Sequence, residues 1–328
     1  MDENNTLHRL RVKEEVFNIM KADNISLVVK TDPLICHFGE QYLKKHNRKQ
    51  MRLECSNKTR ELAKLLIDVR NTKSENGRFT LVDLMDPVLF DLVVESAKRI
   101  GGYDPASKTY RAPSLSAHIG TTLKQAGELL ILKKDPSIKS TDPEMKIKEV
   151  KRFRDLIASQ WTTEISSLAF KTMCETKWNK PAILPLTKDI LKFKDFVIQC
   201  GNKAAANLKN DPNNKKEYRI LTDVCLILTI LYNRKRIGDV QYTNLDTYLR
   251  NFSSINQDEC LNALTESEKI LTKNYKRVVT GGKGNRPVII LFPRDIQDYI
   301  NLMIEIRLKT NFISLDNRYL FAYPYSNH

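Results

Sequence analysis

The sequence predicts a mainly α-helical protein of the α+β class, with one small β-hairpin, and three observations predict it. Apolar residues recur at three- and four-residue spacing in segment after segment, the signature of helices with one buried stripe. A single stretch, Tyr275 to Pro293, reads instead as two β-branched runs around a glycine-rich turn, which is a hairpin pattern. Where a helix is punctuated, as in Asp86-Pro87 through Gly101-Gly102, the acidic residue and proline open it and glycine closes it.

Taken in order, Leu7, Leu10, Val16, Phe17 and Met20 fall at helical spacing, and Ser56 to Val69 carries Leu62, Leu65, Leu66 and Val69 on one face. Residues 71–78 are polar and turn-rich, a candidate linker or surface loop. The Asp86-Pro87 helix follows with Val88, Phe90, Leu92, Val93 and Ala97 as its apolar positions, and Pro113-Ser114 opens another through Leu115, Ile119, Leu123, Leu129 and Leu130. After a loop to Pro143, Glu144 starts a basic helix. Ile147, Val150, Phe153, Leu156 and Ile157 face inward, and Lys146, Lys148, Lys151, Arg152 and Arg154 face water. Trp161 and Trp178 flank the last helix of this half and read as structural. Beyond Lys180-Pro181, Thr187 reads as the N-cap of a helix leading into Ile190, Leu191, Phe193, Phe196 and Val197. A core helix runs from about Tyr218 through Leu221, Val224, Cys225, Leu228, Leu231 and Tyr232. A short helix follows, then a connection through 256–258, a helix carrying Cys260, Leu261, Leu264, Ile270 and Leu271, the hairpin, and a last amphipathic helix with Ile296, Tyr299, Ile300, Met303 and Ile306.

Composition narrows the partners. In 328 residues, 54 Lys and Arg stand against 39 Asp and Glu, a net +15, so attraction to polyphosphate is expected without any sequence readout. A hydrophobic fraction of 41% fits a folded chain rather than a basic disordered tail. No apolar run is long enough to span a bilayer, and Met1-Asp2-Glu3-Asn4-Asn5 is unlike a signal peptide, so an intracellular, nuclear protein with no membrane partner is expected. The six cysteines have no CxxC spacing and read as reduced core residues. Cys36, His37, His46 and Cys55 fit no usual zinc pattern, and neither metal nor cofactor is assigned.

One junction stands out. The core helix runs straight into Arg234-Lys235-Arg236, then Ile237-Gly238-Asp239-Val240. Cations at a helix C-terminus are favoured by the macrodipole, so a solvated basic cap is one reading. The other is a rigid mount for guanidinium groups that hold an anion. The hairpin tip Gly281-Gly282-Lys283-Gly284-Asn285-Arg286-Pro287 presents Lys283 between glycines, and a plain basic turn is its alternative reading. A nucleotide-cradling loop does not fit, because no strand-to-helix transition and no Gly-Lys-Ser/Thr ending is present.

The run Leu231 to Val240, with Asn244-Leu245-Asp246 after it, resembles the first catalytic box of the tyrosine recombinase, or phage integrase, family, and the hairpin resembles that family's second signature. The closer likeness is to crypton-type or domesticated integrase-like proteins of animal genomes, which also carry a segment similar to Asn317-Arg318-Tyr319-Leu320-Phe321-Ala322. Lys177-Trp178-Asn179-Lys180-Pro181 through Leu184-Pro185-Leu186-Thr187 looks like the start of their catalytic domain. The resemblance implies a helical N-terminal region (1–75), a helical core-binding-like domain (76–178) and a partial catalytic domain (179–328).

It also implies a role for each residue. Arg236 is the catalytic arginine on the scissile phosphate, Asp239 its acidic companion, and Lys283 the general acid for the leaving oxygen, in a phosphotyrosyl mechanism needing no metal. A lysine serves as general acid when its pKa falls toward neutrality, which Lys276, Arg277 and Arg286 nearby would encourage. Arg234, Lys235, Lys276, Arg277 and Arg286 are candidate DNA contacts. Lys148, Lys151 and Arg152 form either a backbone clamp on double-stranded DNA or a solvated face. A homo-oligomer on DNA is compatible with the same likeness. The family's His/Lys-x-x-Arg box and nucleophilic tyrosine have no counterpart before His328, and Tyr323 and Tyr325 come too early. The expectation is a truncated, DNA-binding chain that does not itself cleave, or a domesticated noncatalytic DNA-binding or scaffold protein.

Overall fold

A computed structural model describes residues 10–46, 48, 51–74, 79–133, 142–181, 184–250, 265–266, 274–282 and 286–325. The chain is mostly helical with two small antiparallel two-stranded sheets. It divides into two compact units, Met1–Ala182 and Ile183–His328.

The first unit begins with a π-helical turn, Lys13–Phe17, followed by α1 (Asn24–Thr31), α2 (Pro33–Lys45), α3 (Met51–Lys73) and α4 (Leu81–Leu84). Asp23 and Ser26 form a reciprocal capping box at the start of α1. Asp32 works at two helix starts at once, because one carboxylate oxygen accepts from Ile35 N at 3.0 Å and the other from Leu81 N at 2.9 Å. That satisfies orphan amides of α2 and α4 with one buried side chain. Burial nonetheless pushes its carboxyl above the usual range, against the pull of those amides.

A 3-10 turn, Pro87–Leu89, capped by Asp86, leads into α5 (Phe90–Ile100). Gly102, at φ +64°, then turns the chain into β1 (Tyr103–Asp104) and β2 (Thr109–Tyr110). The unit closes with α6 (Pro113–Lys133), α7 (Pro143–Trp161), a π-helical turn and α8 (Ser167–Trp178). A single hydrophobic core runs from Val12 to Ala169. Described residues of the 1–75 and 76–178 segments therefore contribute to the same buried cluster. Gly120 on α6 lets Trp161 close down, since a Cβ there would lie 2.5 Å from the indole, and the indole N–H donates to Ser116 O at 3.3 Å.

Two local expectations change here. The stretch 71–78 is not loop throughout, because α3 continues to Lys73 and residues 75–78 lie outside the described residues. Trp161 is core, but Trp178 is 76% exposed, because the end of α8 leaves the packed interior. Cys36 and Cys55 are buried thiols directed at the carbonyls of Val29 and Gly39, and burial pushes both up to about 12. Among the described residues no group of three or more His, Cys, Asp or Glu is gathered that could hold a metal ion.

The second unit is built on α9 (Thr187–Asn210) and α10 (Lys215–Asn233), packed along each other and backed by α13 (Arg294–Lys309). Gly201 sets the distance of α9 from α10, since a Cβ there would meet Val224 at 2.8 Å. Short helices α11 (Ile237–Gln241) and α12 (Leu245–Leu249) follow, then β3 (Tyr275–Gly281) and β4 (Pro287–Pro293). The register pairs Tyr275 with Pro293, Arg277 with Leu291 and Gly281 with Pro287. Val278, Ile290 and Phe292 turn inward, as the period of two requires.

The Asn317–Ala322 segment is interior structure. Leu320, Phe321 and Ala322 are buried, Leu320 N donates to Thr243 O at 2.8 Å, and Leu245 N donates to Arg318 O at 2.9 Å. The Arg307 guanidinium donates to the carbonyls of Tyr319 and Asn317. Thr187 is not an N-cap; Leu186 precedes the first turn without a side-chain cap, and Thr187 is already helical. Of the apolar positions expected on that helix only Val197 is buried, and 184–196 are exposed throughout, because α9 begins well before the core it packs on. The helix expected over Cys260 to Leu271 and the connection at 256–258 lie outside the described residues.

Candidate functional site

The three-cation junction begins at the end of a helix. Helix α10 stops at Asn233, and its C-cap Arg234 takes a left-handed conformation at φ +50°, ψ +36°. That backbone geometry costs an L-residue with a Cβ about 1–2 kcal/mol. Lys235 follows, and Arg236 is the extended N-cap of α11. The cations thus span a connector from the C-cap of one helix to the N-cap of the next, and the rigidity expected from the helix has a further source.

That source is Asn233. Its side-chain amide donates to Thr229 O, one turn back, at 2.9 Å and to Leu291 O at 2.8 Å, and its carbonyl oxygen accepts from Leu291 N at 2.8 Å. Leu291 faces Arg277 across the hairpin. In an antiparallel pair that makes no ladder bonds, N–H and C=O point away from the partner strand. The Asn233 carboxamide fills that outer edge of β4 as a neighbouring strand would.

A second contact couples α11 to the hairpin. Thr280 Oγ1 donates to Asp239 O at 3.4 Å, and an added Cβ on Gly282 would lie 3.5 Å from the Asp239 carboxylate. Gly282 N donates to Arg286 O at 2.7 Å, closing the tip, and a Cβ at Gly282 would also strike Val288 at 2.4 Å. The hairpin is thus held to Asn233 and to Asp239 of α11 by hydrogen bonds between side chains and backbone. Lys283 lies outside the described residues.

The side chains sort as follows. Arg234, Lys235, Arg236, Arg277 and Arg286 are exposed, and among the described residues none of them forms an ion pair. Asp239 is not within ion-pair distance of Arg236 either. Lys276 stands apart: its ammonium sits 4.4 Å over the Tyr248 ring, on the inward side of β3, and burial lowers its pKa. It does not share a face with Arg277. On helix α7, Lys148, Lys151 and Arg152 are exposed while Val150, Phe153 and Ile157 are buried. Lys146 is held by Glu149 at 3.1 Å.

Four tyrosines complete the picture. Tyr232 stacks on Tyr275 with ring centres 5.7 Å apart, and the hydrogen bond between their hydroxyls, with burial, pushes Tyr232 up to about 12. Tyr323 donates to the Asp223 carboxylate beneath the Arg219 guanidinium, and burial followed by that carboxylate pushes it up to about 12. The Tyr325 ring lies 4.5 Å from the Lys215 ammonium. Sequence reasoning missed Asn233 and the Tyr232–Tyr275 pair. The only local sign of the first is an amide at the last helical position, directly before the basic run.

A comparison of the chain with family models, with curated proteins and with solved structures finds no match in any of the three.

Proposed function

We propose that this chain binds double-stranded DNA through its phosphates, as a tyrosine-recombinase-like protein acting as a binder, and that it works in the nucleus. One observation carries the reading: Arg234, Lys235, Arg236, Arg277 and Arg286 are exposed, without carboxylate partners among the described residues, on a connector and hairpin tied to each other. Unneutralised cations on a fixed backbone suit a polyanion, and guanidinium groups suit phosphate because their planar fork binds two oxygens together. The exposed Lys148, Lys151 and Arg152 of α7 add a second set of phosphate contacts, of the kind that position a duplex without reading its bases.

Binding is favoured over strand cleavage by the tyrosines. A nucleophile needs a hydroxyl that gives up its proton readily. Tyr232, beside the cations, and Tyr323 both carry hydroxyls pushed up to about 12 and engaged in hydrogen bonds. Arg236 and Asp239 act in this reading as a phosphate contact and as a support for the hairpin tip.

Duplex affinity measured across a salt series tests it. The logarithm of the binding constant falls with the logarithm of salt by about 0.9 per phosphate neutralised. Replacing Arg234, Arg236 and Arg277 together by alanine is expected to flatten that slope by about 2.7, three contacts at about 0.9 each. A wild-type chain with no duplex affinity at low salt, or a triple variant with an unchanged slope, defeats the proposal.

A further inference from the structure

We infer that Asn233 is the positioning residue of this site, a single carboxamide that sets where the Arg234–Arg236 connector stands relative to the hairpin. The inference rests on the DNA-binding reading and adds the device that makes its cations a fixed array.

The bonds leave no doubt about which atom is which. Two carbonyls, Thr229 O and Leu291 O, surround the nitrogen, and one amide, Leu291 N, faces the oxygen, so the carboxamide has one orientation. Asn233 is the last residue of α10, and the left-handed Arg234 follows it directly. Whatever direction the connector takes is therefore fixed at Asn233, and its reference point is β4 rather than the helix alone. The partner strand carries Arg277 opposite Leu291, so the same link sets the register between the connector and the exposed cation of β3. Beside it, the Thr280–Asp239 contact, longer at 3.4 Å, ties the hairpin to α11.

Neither aspartate nor alanine reproduces the arrangement at neutral pH. Aspartate accepts from Leu291 N but sets a negative oxygen against two carbonyls. Alanine makes none of the three bonds, and leaves the peptide groups of Leu291 without their partner. Aspartate has one useful property: once protonated, its carboxyl donates to one carbonyl while its other oxygen accepts from Leu291 N. The protonated form fits the folded site and the charged form does not, so the folded-state pKa of the introduced carboxyl is raised. Its fit is present at low pH and lost as pH rises through that pKa.

The experiment uses the full chain, with Asn233→Ala and Asn233→Asp, and two readouts: the salt slope of duplex binding, and hydrogen exchange at the Leu291 amide. Asn233→Ala is expected to lose protection at Leu291 and to flatten the salt slope by up to about 2.7, the value for three displaced contacts. Asn233→Asp is expected to match the alanine variant at neutral pH and to regain the wild-type slope on acidification, measured against wild type at each pH. A variant that had merely failed to fold would not recover in this way. Loss of Leu291 protection with an unchanged slope overturns the inference, as does a Leu291 amide that stays protected in Asn233→Ala. Absence of duplex affinity in the wild type overturns the DNA reading and, with it, the purpose assigned here to Asn233. Because that result appears in the wild type rather than in the variants, the two failures are distinct.

Discussion

The two units differ in where their positive charge is paired. In the first, several cations hold carboxylates, and three of these pairs join distant parts of the chain. Arg60 grips Asp23 at 2.6 Å, Arg52 reaches Glu15 at 2.9 Å, Arg99 holds Asp68 at 2.7 Å, and Lys98 lies 2.9 Å from Glu95. In the second, Arg234, Lys235, Arg236, Arg277 and Arg286 have no such partners among the described residues, and what holds their backbone is the neutral carboxamide of Asn233. A cation already neutralised serves the fold. One left unpaired on a fixed backbone is available to an external anion. Net charge alone does not separate these uses, and the difference shows why a basic protein must be read cation by cation.

Helix α7 lies between the two cases and offers the largest expected effect. Its Lys148, Lys151 and Arg152 form no ion pair among the described residues, but they depend on a buried face for their placement. Phe153, 1% exposed and edge-on to Phe90 with ring centres 6.3 Å apart, belongs to that face. Phe153→Ala should cost about 3–5 kcal/mol in urea unfolding. A shift much below that range would show that α7 is loosely seated and that its cations are not a fixed array.

Arg234 gives a smaller effect whose two parts oppose each other. Arg234→Gly removes the strain of the left-handed backbone and should raise unfolding stability by about 1 kcal/mol, while flattening the salt slope of DNA binding by about 0.9. Stability and affinity moving together would break the claim that the strained residue is held there for its charge.

The α7 triple variant Lys148→Ala, Lys151→Ala, Arg152→Ala should alter stability by no more than about 0.5 kcal/mol, as exposed side chains do. It should flatten the salt slope less than the junction triple does, since nothing fixes those long side chains. An equal or larger loss would make α7 the principal contact.

The smallest effect lies in acid. Arg60, with Ser26 N, lowers the Asp23 carboxyl to about 2 from an ordinary 3.8. A depressed folded-state pKa contributes stability above the unfolded value that is lost as pH falls, here through the window from about 3.8 to about 2. Asp23→Asn should remove that part of the acid dependence, and an unchanged profile would show that the pair does not bear on folding. Among the described residues the junction cations have no carboxylate partner, so they should add no such acid step.

Much of this arrangement was legible locally. The capped Asp86-Pro87 helix, the inner face of α7, the stripe of α10, the hairpin boundaries and the last amphipathic helix all follow from periodicity and turn chemistry, which depend on neighbours a few residues away. The choice of Arg236, Asp239 and the hairpin as a joint site came instead from the family resemblance, and the structure adds that the Thr280 hydroxyl of the hairpin meets Asp239 O. Trp178 and the first turns of α9 were not legible, because an apolar residue at helical spacing says only that a face exists, and packing decides whether anything covers it.

By itself, then, the sequence determined many of the helices, the β3–β4 hairpin though not the short β1–β2 pair, the basic character of the chain and the adjacency of three cations, each a property of short segments. The tertiary structure alone decided that Lys276 turns inward onto Tyr248 while Arg277 turns outward, that the cations stand on a connector beyond the helix, and that Asn233 meets Leu291, 58 residues further along. A hydrogen bond across that separation leaves no periodic trace, because it depends on how α10 and β4 pack rather than on the residues beside Asn233.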